Sequence, residues 1–411
     1  MATNLYQSPE FEFSSGKKES VAAPSAVAKF LPFHVPLIEE EDIQAVTNVL
    51  RSNWITTGPK VKEFEQEFEK LTQARHAVAV NSGTAALHLA LRAIGIEAGD
   101  EVLVPTMTFA ATAEVVVYLQ AKPILVDCTA EHFNIDPDEV ERSLTPQTKA
   151  IVPVHFGGHP CEMGRLLDIA RSRNLRIVED AAHALPAGFH GRTVGTIGDI
   201  TCFSFYATKT VTTGEGGIAT TEDEEYADHM RLLSLHGISK DAWNRYSATG
   251  SWRYQILEVG YKYNLTDLQA ALGLVQLGKC EAMWRRRAAI AERYRHALST
   301  FDGFHVPPMK PNIQHAWHLF VVLVDSDVLR IHRDQVIEEL RQRGIGTSVH
   351  FIPLHLHPYY QQKWGYRPGQ FPNAERHFER CLSLPIYPRM TDEDVEYVIE
   401  SLQNIAAEFR R

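Results

Sequence analysis

The sequence predicts an α/β fold: a mainly parallel sheet with helices on both faces, followed by a smaller C-terminal α+β domain. Short apolar segments alternate with helical patterns from residue 76 to residue 205. The segments are apolar along their whole length, which is typical of strands buried on both faces of a sheet. The pattern changes after residue 262, where a much longer helical segment begins.

The elements of the large domain follow one another in a regular order. Apolar residues recur at helical spacing over residues 39–51, and Gly58 and Pro59 break the pattern. Helices are then predicted in SGTAALHLALRAIG, in TFAATAEVVVYLQ and over residues 165–172, between the strands HAVAVN, EVLVP, KPILVDC, AIVPVHF, RIVED and DITCFSF. In a sheet of this kind ligands bind beyond the carboxyl ends of the strands.

The C-terminal part has a different texture. The helical segment LTDLQAALGLVQLGKCEAMWRRRAAIAERYRHAL leads to a strand, HLFVVLVD, a helix over residues 336–341 and a last helix from Asp392. We therefore predict three parts: a mobile leader (1–30), a large domain (31–261), and a long connecting helix with a small domain (262–411).

Composition excludes several classes of protein. The 411 residues carry a net charge of -10 without a polybasic run, so the electrostatic footprint of a nucleic-acid binder is missing. No apolar run reaches the roughly 18 residues that span a bilayer, which excludes membrane insertion. The five cysteines lack metal-ligand spacing, which suits reduced thiols in a cytoplasmic protein.

The segment FSFYATKTVTTGEGG sets a single lysine, Lys209, between an apolar strand and a glycine cluster. A lysine at the edge of a core is a candidate for chemistry, because its amine can lose its proton there.

Asp180 ends the strand RIVED and so places a carboxylate at the same edge. The turn NSGTAAL opens a helix whose first amides, with the hydroxyls of Ser82 and Thr84, can hold a phosphate. Phe109 starts another helix there and can stack on a ring.

An amine, a carboxylate, a phosphate cradle and a stacking ring together describe a site for pyridoxal 5'-phosphate. Ser204 would add a phosphate contact, and the glycines at 214, 216 and 217 would let the backbone pass close to the cofactor. His183 follows Asp180 by three residues and is expected to orient that carboxylate or to bond the cofactor.

Two other kinds of site fit the residues less well. The histidines invite a zinc hypothesis, but the spacings HxxH and HLH stand among apolar residues without a carboxylate partner, and no metal is expected. The GEGG turn is followed by the strand-like GIATT and not by a helix, so it is not a dinucleotide fingerprint.

The motifs NSGTAAL, VEDAAHA, FSFYATK and GEGGIATT resemble, in order and spacing, those of the DegT/DnrJ/EryC1/StrS sugar aminotransferase family. The resemblance extends from Leu31 to about Ala407. SNWITTGP, GYKYNLTDLQAALGL, HAWHLF and GIGTSVHF resemble most the branch that aminates UDP-4-keto-pentose, the UDP-4-amino-4-deoxy-L-arabinose oxoglutarate aminotransferases.

The resemblance implies a fold type I enzyme that acts as a homodimer with shared active sites in amino-sugar and polysaccharide biosynthesis. Glutamate would be the donor, giving 2-oxoglutarate, and a nucleotide-linked 4-keto sugar would be the acceptor. It also implies roles for particular side chains. These are Lys209, Asp180 and His183 in catalysis, Ser82, Gly83, Thr84, Phe109, Ser204, Asn264 and Arg253 at the cofactor, and Thr57, Tyr206, Lys262, His315 and His350 at the substrate, with Asn264 and Arg253 reaching the site of the partner subunit.

The chain departs from the branch at three places: Tyr206 replaces a common histidine, residues 243–258 differ in length and composition, and residues 1–30 have no counterpart. The alternatives are therefore a dTDP- or GDP-linked acceptor, amination at C3, or a pyridoxal-binding regulator without turnover. Sugar dehydratases related to this family carry histidine in place of the lysine, and Lys209 argues against that activity.

Overall fold

The computed structural model describes residues 30–239 and 254–411. Within these ranges the helices are α1 Glu40–Ser52, α2 Pro59–Thr72, α3 Gly83–Ala93, α4 Ala110–Tyr118, α5 Pro137–Arg142, α6 Met163–Arg173, α7 Glu224–Ser234, α8 Asp267–Leu298, α9 Arg333–Gln342, α10 Pro358–Trp364, α11 Pro372–Arg380 and α12 Asp392–Glu408. The strands are β1 His76–Val80, β2 Glu101–Pro105, β3 Lys122–Val126, β4 Thr148–Ile151, β5 Arg176–Asp180, β6 Gly188–Phe189, β7 Arg192–Thr193, β8 Ile200–Ser204, β9 Gly217–Thr221, β10 Phe304–His305, β11 Ile313–Gln314, β12 Phe320–Val324 and β13 Cys381–Leu384.

A seven-stranded sheet in the order β1-β9-β8-β5-β4-β2-β3 forms the centre of the large domain. Strand β9 runs antiparallel to both of its neighbours, and the other pairs are parallel. One hydrophobic core lies around α3, α4 and α7, and another around α2, α6 and the first half of α8. The predicted α/β class with a mainly parallel sheet is confirmed.

The small domain is built on a three-stranded sheet, β10-β12-β13, that packs against α9, α12 and the second half of α8. A capping box in which Thr266 and Gln269 bond each other's backbone starts α8. Leu31 packs in the core of this domain and exchanges backbone hydrogen bonds with Gly344 and Gly346. The cores thus cross the boundary that we predict at residue 262.

The elements that we predict agree with the observed ones within a few residues. The helices α2, α5, α7, α10 and α11 and the strands β6, β7, β10, β11 and β13 are not among the predicted elements. Helices α10 and α11 are too short for a clear helical pattern in the sequence, and each begins at a proline. Their apolar faces pack onto the core of the large domain. Among the residues that the structure describes, none of the helices combines the length and the apolar character needed to cross a membrane.

Gly217, the first residue of β9, lies against the turn that starts α3. A Cβ atom at this position would stand 2.3 Å from the Ser82 carbonyl oxygen and 2.6 Å from the Gly83 nitrogen, both of which are backbone atoms. We expect Gly217→Ala to lower the free energy of unfolding by about 1 to 3 kcal/mol, because the turn or the strand has to shift. Urea denaturation followed by circular dichroism measures the change.

Gly278→Ala is the matched control, because Gly278 lies inside α8 and a Cβ atom there would meet nothing within 4 Å. We expect this variant to gain about 0.5 to 1 kcal/mol from the lower entropy of its unfolded chain. A Gly217→Ala protein as stable as the wild type would contradict the close approach of β9 to the turn.

Candidate active site

A cavity of about 610 Å³ opens at the carboxyl edge of the central sheet. The loops that follow β1, β5 and β8 and the start of α4 line one side, and segments near residues 33, 318, 350 and 386 line the other. Of the predicted site residues, the cavity brings together Ser82, Gly83, Thr84, Phe109, Asp180, His183, Ser204, Tyr206, Lys209 and His350.

Lys209 lies in the loop between β8 and β9. Its backbone N–H donates to the Tyr206 carbonyl at 2.9 Å, and the Phe205 N–H donates to the Gly216 carbonyl at 2.9 Å, which closes the base of the loop. Burial lowers the pKa of Lys209 to about 8, although the nearby Asp180 carboxylate acts in the opposite direction. Roughly a tenth of the side chain is therefore a neutral amine, the nucleophilic form, at pH 7, far more than for a lysine with an ordinary pKa.

Asp180 is the last residue of β5 and is 5% exposed. One carboxylate oxygen accepts a hydrogen bond from the Thr112 hydroxyl at 2.8 Å, and the other accepts from the Ala182 N–H at 3.1 Å. Burial raises the pKa of Asp180, while these donors and Lys209 oppose the shift and favour the charged form. The sequence pattern did not single out Thr112, which lies one turn after Thr108 and bonds it at 2.7 Å.

The strand that carries Asp180 is anchored by buried hydrogen bonds of its neighbour Glu179. Glu179 bonds His155 at 2.8 Å, the Thr201 hydroxyl at 2.7 Å and the Gly198 N–H at 2.6 Å. Burial alone would raise the pKa of Glu179, but the bond from His155 and the other donors outweigh it and hold this pKa below its usual value. The carboxyl end of β5 is fixed by these bonds.

The turn before α3 has the features of a phosphate cradle. Ser82 is the N-cap of the helix, and its hydroxyl accepts from the Ala85 N–H at 3.0 Å. Gly83 leaves space for the neighbouring strand, because a Cβ atom there would stand 2.9 Å from the Ser204 Cβ. Free amides at a helix start, with the hydroxyls of Ser82, Thr84 and Ser204 around them, bind an anion well.

His183 is 8% exposed, and its Nδ1 accepts a hydrogen bond from the Gly157 N–H at 3.2 Å. The proton of the neutral ring is thereby assigned to Nε2. Burial lowers the pKa of His183 well below its usual value, and the charge of Lys209 adds to this effect. Thr112 and Ala182, and not His183, orient the carboxylate of Asp180.

Phe109 is the N-cap of α4 and is 61% exposed, so it is not a core residue. Its ring centroid lies 5.8 Å from that of Phe351 at the cavity wall. An exposed aromatic ring in this place is available to stack on a planar ligand. The aldehyde-reactive amine, the buried carboxylate, the anion cradle and this ring fit pyridoxal phosphate.

The glycines of the GEGG turn have another role than the one predicted. None of them lines the cavity, whereas Glu215 does. Gly214 has a φ of +79°, which suits a tight turn, and a Cβ atom at Gly216 would overlap the Thr213 hydroxyl. The glycines allow the β8–β9 loop to turn and β9 to approach Ser82.

Three predicted residues form a separate group outside the cavity. Lys262 donates to the Asn264 side chain at 2.6 Å, Asn264 donates to the Thr57 hydroxyl at 2.7 Å, and Thr57 donates to the Leu265 carbonyl at 2.5 Å. Thr57 and Asn264 line a groove of about 1030 Å³ that does not include Lys209. Arg253 lies outside the described residues.

His315 lies outside the cavity, contrary to the expectation of a substrate contact. Its ring stacks on Trp317 with the centroids 3.9 Å apart, and its Nδ1 accepts from the Trp317 N–H at 2.8 Å. His318 lines the cavity instead, together with His34 and Phe351; none of the three is among the site residues predicted from the sequence. In the described ranges no three His, Cys, Asp or Glu side chains form a group that could hold a metal ion.

Comparison with known proteins agrees with this geometry. Residues 36–403 match the model of the DegT/DnrJ/EryC1/StrS aminotransferase family. The chain is 52% identical over 381 residues to protein MJ1066 of Methanocaldococcus jannaschii, covering 93% of this chain and 99% of the relative. It is 51% identical over 377 residues to the spore coat polysaccharide biosynthesis protein SpsC of Bacillus subtilis, covering 92% and 97% of the two chains.

The fold is also that of solved structures of Spr1654 from Streptococcus pneumoniae, a protein assigned as a sugar aminotransferase. The pyridoxal phosphate form of Spr1654 superposes with a TM-score of 0.86 at 36% sequence identity, covering 92% of this chain and 99% of that one.

The lowered pKa of Lys209 predicts how the protein without cofactor takes up pyridoxal phosphate. Only the neutral amine condenses with the aldehyde, so the rate of covalent loading should rise with pH through a midpoint of about 8 and not of 10.5. Asp180→Asn should move the midpoint to lower pH, because it removes the charge that favours the ammonium form. Stopped-flow absorbance at saturating cofactor measures the rate.

Lys209→Ala should fold and take up no cofactor that borohydride can fix to the protein, while Lys70→Ala, at an exposed lysine paired with Glu67, should load as the wild type does. Borohydride-fixed cofactor in Lys209→Ala, or a midpoint near that of a free lysine, would disprove the assignment of Lys209.

Proposed function

We propose that this chain, which belongs to the DegT/DnrJ/EryC1/StrS aminotransferase family, transfers the amino group of glutamate to C4 of a nucleotide-linked, specifically UDP-linked, keto sugar. Its coarser function follows from the family and from the pyridoxal phosphate form of Spr1654: the chain is a pyridoxal phosphate-dependent sugar aminotransferase. We propose the amino donor, the position of the sugar that is aminated and the nucleotide.

Bound in the cavity, pyridoxal phosphate supplies an aldehyde for amines and a ring that accepts electrons from an adjacent carbon. Asp180 would hold a proton on the ring nitrogen, since its buried carboxylate stabilises a cation beside it. Lys209, with its pKa of about 8, can accept and return a proton at its Nζ near neutral pH. The turn from Ser82 to Thr84, with Ser204, would hold the phosphate.

The residues that line the cavity support a sugar as the amino acceptor. Apart from Lys209, no arginine or lysine of the described chain lines it; the lining includes uncharged hydroxyl and imidazole groups and the rings of Phe33, Phe109, Tyr206 and Phe351. Burial lowers the pKa of His34 to about 3 and that of His350 to about 4, so both rings are neutral at physiological pH. Neutral donors and acceptors beside aromatic rings suit a ring that bears hydroxyl groups.

The likeness to SpsC, a protein of polysaccharide biosynthesis, supports a sugar acceptor. The motifs HAWHLF and GIGTSVHF, on which the resemblance to the UDP-sugar branch rests, contribute His318, Ser348 and His350 to the cavity. The resemblance of these motifs to the UDP-sugar branch supports a UDP-linked 4-keto sugar over dTDP- or GDP-linked sugars and over amination at C3.

A panel of acceptors tests the proposal. Glutamate should remove the visible absorbance of the bound cofactor and release 2-oxoglutarate, and a UDP-linked 4-keto sugar should restore the absorbance in the second half-reaction. The panel contains UDP-, dTDP- and GDP-linked 4-keto sugars, a 3-keto sugar nucleotide and simple 2-oxo acids, with Lys209→Ala as the inactive control. A faster reaction with 3-keto sugars or 2-oxo acids would overturn the C4 assignment, and loss of absorbance without any turnover would favour a regulator.

We also propose that two copies of the chain share their active sites. Large apolar side chains are exposed near the group of Thr57, Lys262 and Asn264: Trp54 (41%), Ile55 (50%), Leu257 (61%) and Val259 (84%). Several large apolar side chains exposed in this way are typical of an interface. A second copy on this surface would bring its own Asn264 and Thr57 toward the cavity.

One expected reason for a dimer is not supported. A helix of 32 residues such as α8 is expected to carry more apolar surface than one small domain covers. In the structure none of the large hydrophobic residues of α8 is exposed, because α1, α2, α12 and both domain cores cover them.

Mixed dimers test the shared site. Lys209→Ala and Asn264→Ala proteins should each be impaired alone, because every site lacks one of the two side chains. After random exchange of subunits about half of the dimers are mixed, and each has one intact site, so the mixture should recover about a quarter of the wild-type activity. Sedimentation confirms the dimer. Activity no higher than that of the separate variants, or an active monomer, would contradict the shared site.

A further inference from the structure

His318 stands in the cavity beside His183. Its ring stacks on that of His183 with the centroids 4.4 Å apart and the planes at 29°. The residue is 7% exposed, and its Nδ1 is buried without a hydrogen-bond partner. Nε2 likewise bonds no group in the described part of the chain. His318 lines the cavity, and because Nδ1 is closed off, Nε2 is the ring nitrogen left for a hydrogen bond to a bound molecule.

The backbone around His318 is held in a strained turn. Trp317 has a φ of +53°, in the left-handed region that a tryptophan rarely adopts. The guanidinium of the buried Arg287 spans the turn: its Nη1 donates to the carbonyls of Trp317 at 3.3 Å, His318 at 3.4 Å and Ile386 at 2.6 Å.

The opposite side of the turn is equally confined. The Ala316 N–H donates to the Gly158 carbonyl at 2.8 Å, and a Cβ atom at Gly158 would stand 2.8 Å from the Ala316 Cβ. Contacts on both sides fix the turn, and they hold Trp317 in its strained conformation. The turn in this way sets the position of the His318 ring. Strain of this kind accumulates at functional sites.

The chemistry of the ring indicates what it binds. Burial lowers the pKa of His318 well below its usual value, and the charges of His183, Lys209 and Arg287 add to the effect. A neutral imidazole donates one hydrogen bond and accepts another, as a hydroxyl group does. A carboxylate only accepts, and it is better matched by a cation. The acceptor sugar, rather than the glutamate donor, has the matching groups.

We propose that His318 is a specificity-determining residue that hydrogen-bonds a ring hydroxyl of the acceptor sugar, and that the turn held by Arg287 positions it. This inference rests on the function proposed above and adds the residue that recognises the sugar ring.

The two half-reactions, measured separately, test the inference. His318→Phe keeps a ring that can stack on His183 and removes both nitrogens. The second half-reaction, with the nucleotide-linked keto sugar that the wild type uses best, should lose about tenfold or more in kcat/KM. The first half-reaction, with glutamate, should change less than about threefold. His318→Gln, which retains a donor and an acceptor, should recover part of the loss.

His132→Phe is the matched control. His132 is also a buried histidine, 5% exposed, with an unpartnered Nε2, and it packs on His159 outside the cavity. The same change of imidazole to phenyl should leave the ratio of the two half-reactions as in the wild type.

Binding without turnover provides a second readout. Calorimetry with UDP and with a UDP-linked pentose that bears a hydroxyl in place of the keto group separates the nucleotide from the sugar. His318→Phe should bind UDP as the wild type does and should lose about tenfold in affinity for the UDP-pentose.

The outcomes distinguish this inference from the proposed function. Equal losses in both half-reactions, or unchanged sugar affinity, in His318→Phe would overturn the role of His318 while leaving the activity intact. A wild-type protein that aminates no nucleotide-linked keto sugar would overturn the proposed function and, with it, the role of His318.

Discussion

The antiparallel strand β9 determines how the site is assembled. A parallel neighbour of β8 would need a crossover that carries the chain back to the opposite edge of the sheet. The chain instead turns directly from β8 into β9, and the loop with Lys209 stays at the carboxyl edge. Because β9 lies between β1 and β8, with Gly217 paired to Val80 on one side and to Ser204 on the other, the phosphate turn and the lysine loop become neighbours. Strand β5 lies next to β8 and brings Asp180 to the same edge.

Burial then gives this edge its chemical character. Removing water penalises charged forms, so the pKa of Lys209 falls to about 8 and the histidines around it stay neutral. Asp180 can remain charged because Thr112 and Ala182 donate to its two oxygens. Two carboxylates (Asp180 and Glu215), one readily deprotonated amine and several neutral rings line the cavity. Such a set can move a proton and recognise hydroxyl groups without a strongly charged pocket.

The residues that follow strands could be predicted from the sequence, because parallel strands bring their carboxyl ends to one edge. Lys209, Asp180 and Ser82 all belong to this class, and local patterns identify them. His318 and Arg287 come from segments whose place depends on how the small domain packs. The HxxH spacing does not indicate which of His315 and His318 lines the cavity. The left-handed turn at Trp317 separates the two residues, and no periodicity in the sequence predicts that turn. Thr57 and Asn264 were grouped with the cofactor and substrate because of a family resemblance, and in a single chain they lie in another groove.

The cavity and the groove also differ in the cationic side chains that they offer to a substrate. The proposed substrates, glutamate and a sugar nucleotide, are anions, yet Lys209 is the one cationic side chain of the described residues that lines the cavity. Its charge is weakened by burial and is lost when it reacts. The affinity for the anionic groups must therefore arise beyond this lining, and Lys262, which bonds Asn264 beside the exposed apolar surface, is placed where a second copy would approach. If the cavity recognises the sugar ring through neutral groups and leaves the charges to its edge, as we propose, two chemically different substrates can use the same amine in turn.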